Sequence, residues 1–108
     1  MKKGDIVLVP FPFTDLQGQK NRSAFILVAS TLDVTVAFLS SQAFKVESTD
    51  IFISATEENG LKKQSLLRLN KIATLSKDLI LGRLGNLSCG EIKLVDKNLI
   101  KLFQINSN

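Results

Sequence analysis

Histidine is absent from the 108 residues, and cysteine occurs once, as Cys89. Without an imidazole the chain cannot build a Ser-His-Asp or Cys-His nucleophile, a two-histidine ribonuclease site or a His-ligated zinc. One thiol excludes an internal disulfide and any cysteine-cluster metal site. With nothing to activate it, Cys89 reads as a structural thiol near a helix cap. Tryptophan and tyrosine are also missing, so seven phenylalanines are the whole aromatic complement. No apolar run approaches the ~20 residues of a bilayer span. Met1-Lys2-Lys3-Gly4-Asp5 passes directly into a strand-like alternation rather than a signal-peptide apolar region. The expectation is a cytoplasmic protein with no membrane partner and no cofactor, metal included. Any acid–base work falls to carboxylates, Lys, Arg, the thiol, hydroxyls or water.

What is present describes an ordinary globular domain. At 44% hydrophobic and 22% charged residues, 108 residues suit a single domain near the lower size at which a core forms without disulfides. The net charge of +4 and pI near 9.4 favour a polyanionic partner. Residues 4–10 alternate and are rich in Ile and Val, which predicts a strand ended by Pro10 and Pro12. Ser23–Ser30 predicts a second strand buried on both sides, and Val34–Ser40 a third, with β-branched Val34, Thr35 and Val36 at its start. Ile51–Ile53 is a short strand. After a turn at Thr56–Gly60, Gln64–Leu69 returns as a strand that Lys71–Leu75 continues.

The end of the chain reads as helix. Ser76 can cap a short helix to about Leu84, stopped by Gly85-Asn86. Ser88-Cys89-Gly90-Glu91 has the spacing of a capping box, and behind it Ile92, Val95, Leu99, Leu102 and Phe103 recur on one helical face. Five or six short strands without a βαβ rhythm predict a mainly β fold, a small SH3-like antiparallel barrel with a short helix and a C-terminal helix.

The most informative stretch is the loop Phe11-Pro12-Phe13-Thr14-Asp15-Leu16-Gln17-Gly18-Gln19-Lys20-Asn21-Arg22, polar and basic between two strands. Loops on a rigid sheet are where binding and chemistry concentrate. Together with Gly4-Asp5-Ile6-Val7 before it, this opening resembles the PemK/MazF family of type II toxins. Two further segments match the same family. One is Ala37-Phe38-Leu39-Ser40-Ser41-Gln42. The other is Gly60 to Leu75, carrying Arg68-Leu69-Asn70, followed by Leu84-Gly85-Asn86-Leu87. Two positions depart from the pattern: Ser23 follows Arg22 where the family usually has proline, and Asn70 stands where Asp is common.

The resemblance implies a sequence-selective endoribonuclease that acts as a homodimer on single-stranded RNA and is silenced by a cognate antitoxin. It implies catalytic roles for Arg22, Ser40 and Arg68: the two guanidinium groups as planar forks on the scissile phosphate, and Ser40 as a positioning hydroxyl. The nucleophile would be the 2′-hydroxyl of the substrate itself, which is why no metal is required. Arginine is effectively always protonated, so Arg22 suits a general acid better than a base. Asp15 is the nearest motif carboxylate for accepting a proton. Thr14, Asp15 and Gln42 are further loop contacts, Asn70 lies at the carboxylate position, and Lys20 adds attraction to the RNA backbone. Phe11 and Phe13 offer faces on which unpaired bases stack, or they close the barrel.

Each of these residues also has a plain structural use. Arg22 and Arg68 suit surface ion pairs, Ser40 a turn at a strand end, and Lys62 and Lys63 a solvated turn. Two other functions stand beside the ribonuclease. One is a catalytically inactive family member that binds RNA or antitoxin, motivated by Ser23 and Asn70. The other is a gyrase-poison toxin on the same kind of fold, whose activity lies in a C-terminal helix reaching a protein target.

Overall fold

The computed structural model describes residues 1–11, 20–42 and 45–106. Phe13, Thr14 and Asp15, proposed as RNA contacts, lie outside the described residues. One six-stranded antiparallel sheet carries the chain: β1 (Asp5–Phe11), β2 (Lys20–Ala29), β3 (Asp33–Ser40), β4 (Ile51–Ile53), β5 (Ser65–Ser76) and β6 (Gly82–Asn86). The strands lie in the order β4-β5-β3-β2-β1-β6, and α1 (Cys89–Leu102) follows. The predicted mainly β architecture with a C-terminal helix is thus the one observed, as a curled sheet.

Both faces of the sheet are covered, which explains why its central strands read as continuous apolar runs. On one face Ile6, Phe25, Ala37, Leu39, Leu67 and Leu69 pack with Val95 of α1; on the other Val7, Val9, Ala24, Ile26, Val34 and Val36 form a second cluster. In β2 the burial expected on both sides of Ser23–Ser30 holds for Ala24, Phe25 and Ile26, whereas Val28 is exposed. Pro10 does not end β1 as expected. It stands in register opposite Asn21, on a stretch past Leu8 where β6 no longer pairs, so its missing N–H breaks no ladder.

The segment after Ser76 differs more from expectation. The Ser76 hydroxyl accepts from the Asp78 amide, but only a 3-10 turn forms, Lys77–Leu79. The amide of Leu81 then donates to the Leu8 carbonyl at 2.8 Å and draws Gly82–Asn86 into the sheet as β6. A helix this short is marginal by itself, and pairing along β1 outweighs it. Gly85 is needed here not to stop a helix but because the backbone of Glu58 and Asn59 crosses where a Cβ would sit.

The same approach curls the sheet. The Asn86 amide donates to the Glu58 carbonyl, so the β4–β5 connection docks on β6. Gly60, at φ +69°, passes against Leu84 at a backbone conformation and distance that exclude a side chain. Buried Asn59 holds the loop: its Oδ1 accepts from the amides of Thr56 and Leu61, and its Nδ2 donates to the Ser54 carbonyl.

α1 begins with the expected capping box, in which the Glu91 amide donates to the Ser88 hydroxyl and the Ser88 amide to the Glu91 carboxylate. Ile92, Val95, Leu99 and Leu102 pack inward, whereas Phe103 is exposed because the helix has ended at Leu102. Cys89 is an exposed free thiol at the first helical position. No helix among the described residues is long and apolar enough to cross a membrane.

Candidate functional site

Strand register explains how residues far apart in sequence reach one face. Val9 pairs with Arg22, Ala24 with Phe38, and Phe38 with Arg68. Cross-strand partners project to the same side, and alternate residues along a strand share a face. Ser40, two residues past Phe38, therefore projects with it. Arg22, Phe38, Ser40 and Arg68 belong to the face that carries Val9, Ala24 and Val36.

A break in register opens that face. Ala37 pairs with Ile72, but its neighbour Phe38 pairs with Arg68, so Leu69, Asn70 and Lys71 are passed over and β5 bulges away from β3. Beside the bulge lies a cavity of about 460 Å³, a size suited to a small ligand group. Phe11, Phe38, Ile72 and Ala73 supply its apolar lining; Arg22, Ser40, Arg68, Asn70 and Lys71 supply its polar groups.

The two arginines are held differently. Arg22 is exposed, and its guanidinium lies 5.8 Å from the centroid of the Phe11 ring. Phe11 in turn meets Phe38 edge to face at 5.6 Å, so an aromatic pair supports the cation. Arg68 is half-buried. Its Nη2 donates to the Lys45 carbonyl at 3.1 Å, and its Nε lies 3.6 Å from Oδ2 of Asp50, whose side chain is wholly buried. That oxygen also accepts from the Glu47 amide at 2.7 Å. Arg68 Nε and Asp50 Oδ1 are both buried without a hydrogen-bond partner among the described residues, so the pair is held by charge more than by hydrogen-bond geometry.

Ser40 has a local role. Its hydroxyl donates to the Gln42 carbonyl at 2.8 Å and accepts from the Gln42 amide at 3.1 Å, closing a turn at the end of β3. Asn70 lines the cavity at the bulge. Lys20 and Gln42 are exposed and do not line it. The fold therefore brings Arg22, Ser40, Arg68 and Asn70 together, and leaves Lys20 and Gln42 outside.

Sequence reasoning missed three side chains. Phe38 was within reach, since a period of two back from Ser40 selects it. Lys71 was not, because three positions on from Arg68 in a regular strand it would project to the opposite face. Asp50 was not either: nothing in Thr49-Asp50-Ile51 signals a buried carboxylate under an arginine eighteen residues on.

The family model described as PemK-like, MazF-like toxin of type II toxin-antitoxin system matches residues 2–103. No curated protein sequence matches. Among solved structures, an endoribonuclease in complex with its cognate antitoxin from a mycobacterial species superposes with a TM-score of 0.78 at 13% identity, covering 100% of this chain and 99% of that one. Mycobacterium tuberculosis toxin MazF-mt6 superposes with a TM-score of 0.78 at 18% identity, over 94% of this chain and 98% of that one. At such identities the likeness is one of fold.

Proposed function

Since the chain belongs to the PemK-like, MazF-like toxins of type II toxin-antitoxin systems, we propose that it is a sequence-selective endoribonuclease whose cavity across β2, β3 and β5 receives the scissile phosphate of a single-stranded RNA. The observation that supports this most is the convergence of Arg22 and Arg68, from opposite halves of the chain, on one cavity. An enzyme cleaving RNA through the 2′-hydroxyl needs little covalent chemistry of its own. The 2′-oxygen attacks phosphorus as its proton passes to solvent water, the phosphorus–O5′ bond breaks, and the 5′-oxygen takes up a proton, leaving a 2′,3′-cyclic phosphate.

Such a reaction is accelerated by fixed positive charge around the phosphorane oxygens. Arg22 and Arg68 present guanidinium forks there, and Lys71 adds a compact ammonium at the bulge. Arg22 is the more available donor for the leaving oxygen, because Arg68 already spends contacts on Asp50 and Lys45. Ser40 shapes the turn at the cavity rim through its bonds to Gln42. No metal enters this scheme, since the nucleophile arrives with the substrate. The protein works as a homodimer, and its antitoxin silences it by covering this basic face with an acidic segment.

Incubation of the purified protein with mixed-sequence RNA in chelator tests the reading. Cleavage that disappears in Arg22→Ala supports it; intact RNA at every protein concentration refutes it.

One observation favours a second reading. Among the described residues lining the cavity none is a carboxylate, and Asn70 stands where the family often has Asp. A member with no base would bind RNA here without cutting it. Salt-sensitive binding with no product, unchanged in Ser40→Ala, is the outcome that would replace the first reading by this one.

A further inference from the structure

A second cavity, of about 510 Å³, is lined from β1, β2, β3, β6 and the segment leading into β5, and shares Arg22 with the first. Leu8, Leu39, Leu61 and Leu84, drawn from four separate segments, make its apolar part. Lys62, Lys63 and Arg22 stand at its edge, with Asn21 beside them. An apolar seat ringed by cations and an amide is the combination that holds an unstacked nucleotide: the base is removed from water, its edge meets a side-chain amide, and ammonium groups meet the phosphate.

Lys62 and Lys63 are exposed at a bend, as the expected solvated turn requires, and the segment that carries them is held in place by structure. Residues 54–61 are fixed by the three side-chain bonds of Asn59, by the Glu58–Asn86 backbone bond and by the close passage of Gly60 against Leu84. Immediately after, the Ser65 hydroxyl donates to the Lys63 carbonyl at 3.1 Å. Lys62 and Lys63 thus project from a pinned segment, and a cation on a rigid base loses less entropy on binding than one on a loose loop.

From this juxtaposition we infer that the second cavity is a nucleotide subsite. An RNA strand bent around Arg22 places its scissile phosphate in the first cavity and an adjacent unstacked nucleotide in the second, whose phosphate Lys62 and Lys63 neutralise. The inference rests on the ribonuclease reading for its first cavity. For the second it rests on the lining alone.

A labelled 2′-O-methyl oligonucleotide, which has no hydroxyl to attack, tests the subsite apart from cleavage. Fluorescence anisotropy against salt is measured for the parent protein and for Lys62→Ala/Lys63→Ala, using a three-nucleotide and a seven-nucleotide strand. Lengthening the strand is expected to raise affinity in the parent and to gain little in the double variant. The variant should bind the longer strand on the order of tenfold more weakly at ~0.1 M salt, with the log–log salt slope shallower by about 1.4. Equal affinity and slope in parent and variant would overturn the inference, as would a parent that binds neither strand. An acidic peptide is run beside the oligonucleotide. If the variant loses the peptide but keeps the oligonucleotide, the cavity docks protein and the inference fails. The unmodified RNA separates the two levels, because its survival uncut removes the catalytic reading while the binding comparison still decides the subsite.

Discussion

The two walls of the first cavity present their cations in opposite ways. On the β2 wall Arg22 is exposed and rests on an aromatic ring, and among the described residues no carboxylate lies within ion-pair distance of it. On the β5 wall the Arg68 side chain is 21% exposed and leans on Asp50, which is 0% exposed. A guanidinium facing a buried carboxylate is largely compensated and is committed to one position; a guanidinium on a ring keeps its charge for a ligand. In the proposed reaction the β5 wall would then supply placement, and the β2 wall field.

That division breaks most visibly at Arg22. Arg22→Ala should lower the cleavage rate by about 100- to 1000-fold, the usual loss when one donor to a developing oxyanion is removed. An unfolding midpoint within about 0.5 kcal/mol of the parent is expected alongside, since the residue is exposed. A comparable loss of stability would mean that Arg22 is structural as well.

Arg68→Ala should show the reverse weighting. Leaving the Asp50 carboxylate buried and uncompensated is expected to cost about 2–3 kcal/mol in urea denaturation, below the ~3–5 kcal/mol of a fully buried broken pair because Arg68 is partly solvated. The double variant Arg68→Ala/Asp50→Ala should recover part of that loss, and strict additivity would show that the two charges do not interact. Ser88→Ala, remote from both walls, should cost about 1 kcal/mol of stability through the helix cap and leave the cleavage rate unchanged. The smallest effect is expected from Phe11→Leu, which removes the ring beneath Arg22: about 0.5–1 kcal/mol, read as a few-fold weaker RNA binding with an unaltered fold.

Much of the fold was legible because periodicity reports it. Residues 4–10, Val34–Ser40 and Ile51–Ile53 match observed strands closely, and Ser88 with Glu91 marked the start of α1. The segment after Ser76 was misread because its cap is real; what ended the helix after one turn was the Leu81–Leu8 backbone bond, a partner 73 positions away that no local pattern contains. The site was legible in the same partial sense. Arg22, Ser40, Arg68 and Asn70, singled out by the family resemblance, line one cavity, while Lys71 and Asp50 became visible only with the bulge and the ion pair in place.

By itself the sequence determined most of the strands and the C-terminal helix, that no imidazole or cysteine-cluster chemistry is available, and that the chain carries net positive charge. These follow from residue type and from periods of two and 3.6, properties a chain has before it folds. Only the tertiary structure decided which cations share a cavity, which of them faces a buried carboxylate, and that Lys62 and Lys63 line the second cavity. Those depend on a slipped register in β5 and on two glycines that let backbones touch, and such contacts join residues whose sequence separation carries no signal of their meeting.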